Sequence, residues 1–147
     1  PALAAALDVV GHPIVHLWVS ASAPDVDAFV YLEEIDARGN ARYITEGNLR
    51  ASHRALGQAP YQTLGLPFHS FFRRDQTPIP AGEAVELVFD LLPTAWRYSP
   101  GKRLRVTVAF ADAGNFATPI LNPPAAVKVY RDPQHPSYIE IPTVPSP

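Results

Sequence analysis

At 147 residues the chain has the length of one domain, and its 47% hydrophobic content is that of an ordinary globular fold. It has no Cys and a net charge of −2, which excludes a disulfide scaffold, a Cys-ligated zinc site, a Cys nucleophile and a strongly basic nucleic-acid-binding face. The 17 Pro and 8 Gly together stay below the share of about 25–30% that marks low-complexity chains, so they punctuate a folded domain.

In chain order, Pro1 to Leu7 is the longest apolar stretch, far short of the ~18 residues a membrane span needs. It has no basic flank of the kind a secretory leader carries. Ile14 to Val19 is rich in β-branched residues, with Val15, Leu17 and Val19 on one face and Ile14, His16 and Trp18 on the other. Val26, Ala28, Val30 and Leu32 line one face of a second strand. Arg38-Gly39-Asn40 turns that strand into another around Arg42 to Thr45. Asn48 to Leu56, between Gly47 and Gly57, is at most two turns of helix. Gln58 to Thr77 is long and irregular, a kind of segment that is often functional.

Val85, Leu87, Phe89 and Leu91 alternate with Glu86 and Asp90. So do Leu104, Val106, Val108 and Phe110, against Arg103, Arg105 and Thr107. Between these strands, Pro93 to Gly101 reads as a connection closed by a Pro-Gly turn. Val127 and Val129, then Ile139 and Ile141, mark two more strands, and Pro142 to Pro147 reads as a tail. About seven or eight short strands without helices predict an all-β fold, a jelly-roll β-sandwich over residues 1–147. The prolines then fall at strand starts, turns and edges, where no ladder N–H is needed.

The chemistry-bearing residues are sparse. No Ser has a Gly two positions before it, so the Gly-x-Ser-x-Gly elbow of α/β-hydrolases is missing. Ser52 and His53 are adjacent, but triads converge in space and not along the chain. His12 and His16 on an extended strand would lie about 13 Å apart, too far to share a metal. Asp25 and Asp27 read either as a solvated turn or as carboxylates for Ca²⁺. Glu33 and Glu34 point to opposite faces, a poor acid–base pair. No cofactor motif is present: the glycines are scattered singly and form no phosphate-binding loop. Arg50, His53 and Arg54 form a basic cluster, followed by Arg73 and Arg74. These are either solvated surface or contacts to carboxylates on a partner. Tyr61, Phe68, Phe71 and Phe72 either plug the core or form a docking surface. Trp96 and Tyr98 either pack beneath their connection or stack on a sugar.

Several motifs in order carry a family resemblance. They are Gly11-His-Pro-Ile-Val-His-Leu-Trp-Val-Ser-Ala-Ser-Ala-Pro-Asp25-Val-Asp27, Gly47-Asn-Leu-Arg-Ala-Ser-His-Arg54, Leu92-Pro-Thr-Ala, Ser99-Pro-Gly-Lys-Arg-Leu-Arg-Val106 and His135-Pro-Ser-Tyr-Ile-Glu-Ile-Pro142. Over nearly the whole chain the sequence resembles the C-terminal domain of the X-Pro dipeptidyl-peptidase, cocaine esterase and α-amino-acid ester hydrolase family. The resemblance implies a jelly roll shaped like galactose-binding domains. It implies a serine hydrolase whose triad sits on a separate, preceding α/β-hydrolase domain, so these residues carry no catalytic position. It also implies that the opening strand is shortened at Pro1. Relatives have a Ser-rich, Phe-Pro and Arg-Asn segment where this chain reads Ala111 to Pro119, a departure that removes any role carried over for it.

The function expected is that of a non-catalytic domain that docks on its catalytic partner through Arg50, His53, Arg54, Phe68, Phe71, Phe72, Trp96 and Tyr98 and shapes the active-site cleft. The alternative is a stand-alone carbohydrate-binding module using Trp96, Tyr98 and the Asp25/Asp27 turn. Neither reading calls for a nucleic acid, a membrane, a metal or a cofactor. Self-association is expected if a docking face is left uncovered.

Overall fold

The computed structural model describes residues 1–117 and 121–145 of the chain. The end of the Ala111–Pro119 segment and the last two residues of the Pro142–Pro147 tail lie outside them. Among the described residues there are ten strands: β1 (Leu7–Gly11), β2 (Ile14–Ala21), β3 (Asp27–Ile35), β4 (Ala41–Arg50), β5 (Val85–Asp90), β6 (Thr94–Tyr98), β7 (Arg103–Ala109), β8 (Val127–Val129), β9 (Tyr138–Glu140) and β10 (Thr143–Val144). The only helical elements described are two single 3₁₀ turns, Ala51–His53 and Arg73–Asp75.

All pairing between the strands is antiparallel. One sheet runs β5-β2-β8, with β9 sharing the same edge of β2 as β8. A second runs β4-β3-β7, and a third, β10-β1-β6, adds to the first two. The period-two pattern explains the layering. Val15, Leu17 and Val19 of β2 and Leu87 and Phe89 of β5 meet Ala28, Val30 and Leu32 of β3 and Leu49 of β4 in one buried cluster. Removing each such aliphatic side chain from water contributes about 1.5–3 kcal/mol. The fold is the expected β-sandwich, two sheets closed over a single apolar layer.

Three local expectations are corrected. Asn48 to Leu56 is not a helix: β4 runs through Arg50 and gives way to the turn Ala51–His53. Pro93 to Gly101 is not simply a connection, because Thr94–Tyr98 forms β6, paired along its whole length with β1. Strand β1 itself, Leu7–Gly11, carried no clear sequence signal. The long stretch 58–77 is irregular as expected, and two non-glycine residues in it, Leu64 and Phe71, hold positive φ.

Candidate docking surface

The predicted basic and aromatic residues divide into those the fold consumes and those it presents. Arg50, the last residue of β4, lies opposite Asp27, the first of β3. Its Nε and Nη2 donate to the two carboxylate oxygens of Asp27 at 2.7 and 2.9 Å. This paired acceptor holds the guanidinium pKa above its ordinary value. Arg54 acts inside the fold: its Nη1 donates to the carbonyls of Ala51, at 3.1 Å, and Thr77, and its Nη2 to that of Pro78 at 3.3 Å. Burial lowers its pKa. Arg54 thus ties the turn after β4 to the end of the long loop.

His69 anchors the loop from the other side. It is buried, with Nδ1 3.2 Å from the Ala55 carbonyl and Nε2 2.8 Å from the Val88 carbonyl. Backbone bonds from Thr77 to Ser52 (2.7 Å) and from Gly57 to Phe68 (2.9 Å) complete the attachment.

Between these anchors the loop exposes its aromatics. Phe71 and Phe72 are 60% and 54% exposed. Phe71 sits at φ 54°, a left-handed conformation that is an outlier for a bulky residue. Its ring lies 5.5 Å from that of His53 and 5.8 Å from that of His69. Gln76 and His53 are side-chain partners at 3.0 Å. The Arg74 guanidinium covers the Phe72 ring at 4.4 Å, within cation–π range. Phe68 is half-buried and packs edge-on to Tyr61, 5.8 Å away.

Arg50, His53 and Phe71 also line a cleft of about 420 Å³ with Phe29, Asn48 and Phe116. Sequence reasoning missed Phe29 and Phe116, whose rings are 4.9 Å apart. The outward register of Phe29 on β3 was the available signal, but its partner lies in a distant loop. That loop is the divergent segment after β7. It is fixed where Asp112 accepts from the Tyr31 hydroxyl at 2.7 Å and from the Asn115 amide at 3.0 Å. Burial and that bond push the Tyr31 hydroxyl up to about 12.

Trp96 and Tyr98 stand apart from this surface. Tyr98 is fully buried, and burial pushes its hydroxyl up to about 12. It cannot contact a partner or a sugar without the fold opening. Trp96 is half-buried, donating to Glu34 at 3.3 Å beneath the Arg42 guanidinium, so it packs as one sequence reading allowed. Asp25 accepts from the backbone N–H groups of Val26 and Ser52, and Asp27 is held by Arg50. Among the described residues no group of three or more His, Asp or Glu is placed to hold a metal ion. His12 bonds Asp90 at 2.9 Å and His16 bonds Glu86 at 3.0 Å, each a separate contact between strands or their ends. No helix among the described residues is long and apolar enough to cross a membrane.

Residues 1–140 match the model of the X-Pro dipeptidyl-peptidase C-terminal non-catalytic domain. The chain belongs to that family. It is 44% identical over 142 residues to a Mycobacterium tuberculosis protein named as a serine esterase, a match covering 94% of this chain and 22% of that protein. It is 29% identical over 150 residues to the cocaine esterase of a Rhodococcus species, covering 94% of this chain and 23% of the esterase. A CocE/NonD family hydrolase from Staphylococcus aureus has the same fold, with a TM-score of 0.78 at 24% identity over 99% of this chain and 30% of that one. The chain thus spans under a third of the length of these relatives. The non-catalytic description of the family agrees with the missing nucleophile elbow.

Proposed function

We propose that this domain docks on the α/β-hydrolase catalytic domain of a larger serine hydrolase, of dipeptidyl-peptidase or acyl esterase type. There it walls part of the active-site cleft without contributing a catalytic group. The observation that carries the reading is the pair Phe71 and Phe72, exposed on a loop anchored at several points. A bulky residue held in the left-handed region costs roughly 1–3 kcal/mol and persists only where its surroundings impose it. Aromatic side chains with Arg50 and His53 beside them have the composition of an interface core. The family match and the small share of each relative's length support a larger polypeptide around the domain.

The test is the coupling of unfolding within the whole polypeptide. Phe71→Ala combined with Phe72→Ser is expected to split one cooperative transition into two, leaving this domain's own midpoint nearly unchanged. An unaltered single transition would overturn the reading. The 147 residues alone are expected to hydrolyse neither esters nor X-Pro amides. Turnover abolished by a serine-directed inhibitor would contradict that.

A further inference from the structure

We propose that the cleft over the start of β3 and the end of β4 is a binding site for a small uncharged aryl carbonyl compound, an aromatic ring bearing an amide or ester group. The inference goes beyond the docking reading: Phe72, one of the two rings that carry that reading, does not line this cleft.

Strand alternation sorts the residues. Ala28, Val30 and Leu49 point into the core, so Asp27 and Phe29 of β3 and Asn48 and Arg50 of β4 share the outer face of their sheet. Phe29 is the register partner of Asn48, and Asp27 that of Arg50, and together they floor the cleft. Phe29 faces outward yet is only 3% exposed, with the Phe116 ring 4.9 Å from its own. Phe116 follows β7, on one side of β3. It lies in the segment where this chain departs from the pattern of its relatives, so the cleft is a feature of this chain. His53 follows β4, on the other side, with the Phe71 ring 5.5 Å away. The volume enclosed, about 420 Å³, is in the range of small-ligand sites.

The lining selects the ligand. Phe29, Phe71 and Phe116 offer aromatic faces and edges to a flat apolar group. Phe71 is held in the left-handed region, the kind of strain that clusters at ligand clamps. The polar groups on the floor are donors. The Asn48 side-chain amide has no partner among the described residues. Arg50 gives Nε and Nη2 to Asp27 and keeps Nη1. Because the Asp27 carboxylate offsets the Arg50 charge, the site presents N–H groups without net positive charge. A carboxylate ligand would lose its hydration there for little attraction, whereas a neutral carbonyl oxygen accepts from the same donors at a smaller desolvation cost.

Saturation-transfer NMR on the whole polypeptide tests this, with its serine blocked by a phosphonate so that the catalytic pocket is closed to the probes. Phenylacetamide should bind saturably. Phe116→Ala and Asn48→Ala, both at exposed positions, should each weaken it by about ten-fold. Cyclohexylacetamide, which keeps the carbonyl and lacks the aromatic ring, should bind more weakly, and phenylacetate no more tightly than the amide. The inference is overturned by a lack of saturable binding, by binding that either substitution leaves unchanged, or by tighter binding of phenylacetate or cyclohexylacetamide. Phe72→Ser should weaken docking and leave phenylacetamide binding unchanged, so the two readings fail separately. Binding seen only in that variant would show the cleft filled by the catalytic domain, and would overturn the inference too.

Discussion

Glu33 shows how much one side chain on the outer face of β3 organises. Its carboxylate accepts from Arg105 Nε at 2.8 Å and Nη2 at 2.9 Å, and from the Thr107 hydroxyl at 2.5 Å. Chiefly the Arg105 bond, helped by Thr107, holds its carboxyl below the ordinary range against the opposing effect of burial. A folded-state pKa below the unfolded one gives stability that is present above the unfolded value and lost as pH falls through the folded one. Arg105 is half-exposed, so the pair is worth only about 0.2–1 kcal/mol. Glu33→Gln is therefore expected to be less stable than the native chain by that amount near neutrality. The gap should close as pH drops below about 4. Urea midpoints measured across the acid range check this, and a gap that stays constant would rule out the pairing as its source.

At the scale of elements, Gly47 explains a crossing that periodicity could not reveal. It lies inside β4, where the Asp90–Leu92 segment passes close by. A Cβ there would sit 2.5 Å from the Asp90 carbonyl oxygen and 3.0 Å from the Leu91 Cα, both backbone atoms with little room to yield. Beside it, Leu92 donates its amide to Glu46 at 2.8 Å, and its carbonyl accepts from the Thr45 hydroxyl at 2.7 Å. Gly47→Ala should cost about 1–3 kcal/mol by forcing the two segments apart. The expected signature is a lower denaturant midpoint with an unchanged slope; an unshifted midpoint would show that the crossing yields freely. In the sequence the same glycine read as the flank of a possible short helix and the start of one family motif, and neither reading revealed the crossing. Strands β2, β3 and β5 were legible because burial of one face imprints alternation on consecutive residues. β1 and β6 were not, because Asp8 and Arg97 interrupt short runs and Pro93 and Pro100 bracket the second. The aromatic loop was legible from composition. The cleft beside it was not, since Phe29 and Phe116 meet only through the folded path of the chain.

For the whole molecule, the docking proposed above would make this domain act on access and not on bond making. A wall beside an active site changes the relative rates of substrates that differ in bulk, and it leaves the reactivity of the nucleophile alone. The Phe71→Ala/Phe72→Ser variant of the larger polypeptide is thus expected to keep its full titre of serine reactive toward a small phosphonate. Its kcat/KM ratio for a bulky against a small ester should shift, by about ten-fold if the lost contacts are worth about 1.4 kcal/mol between the two transition states. The direction follows from geometry: loosening a wall favours the bulkier substrate. Equal losses on both esters would point to damaged chemistry, and a fall in serine titre to damaged folding; either result would remove access control as the role of this surface.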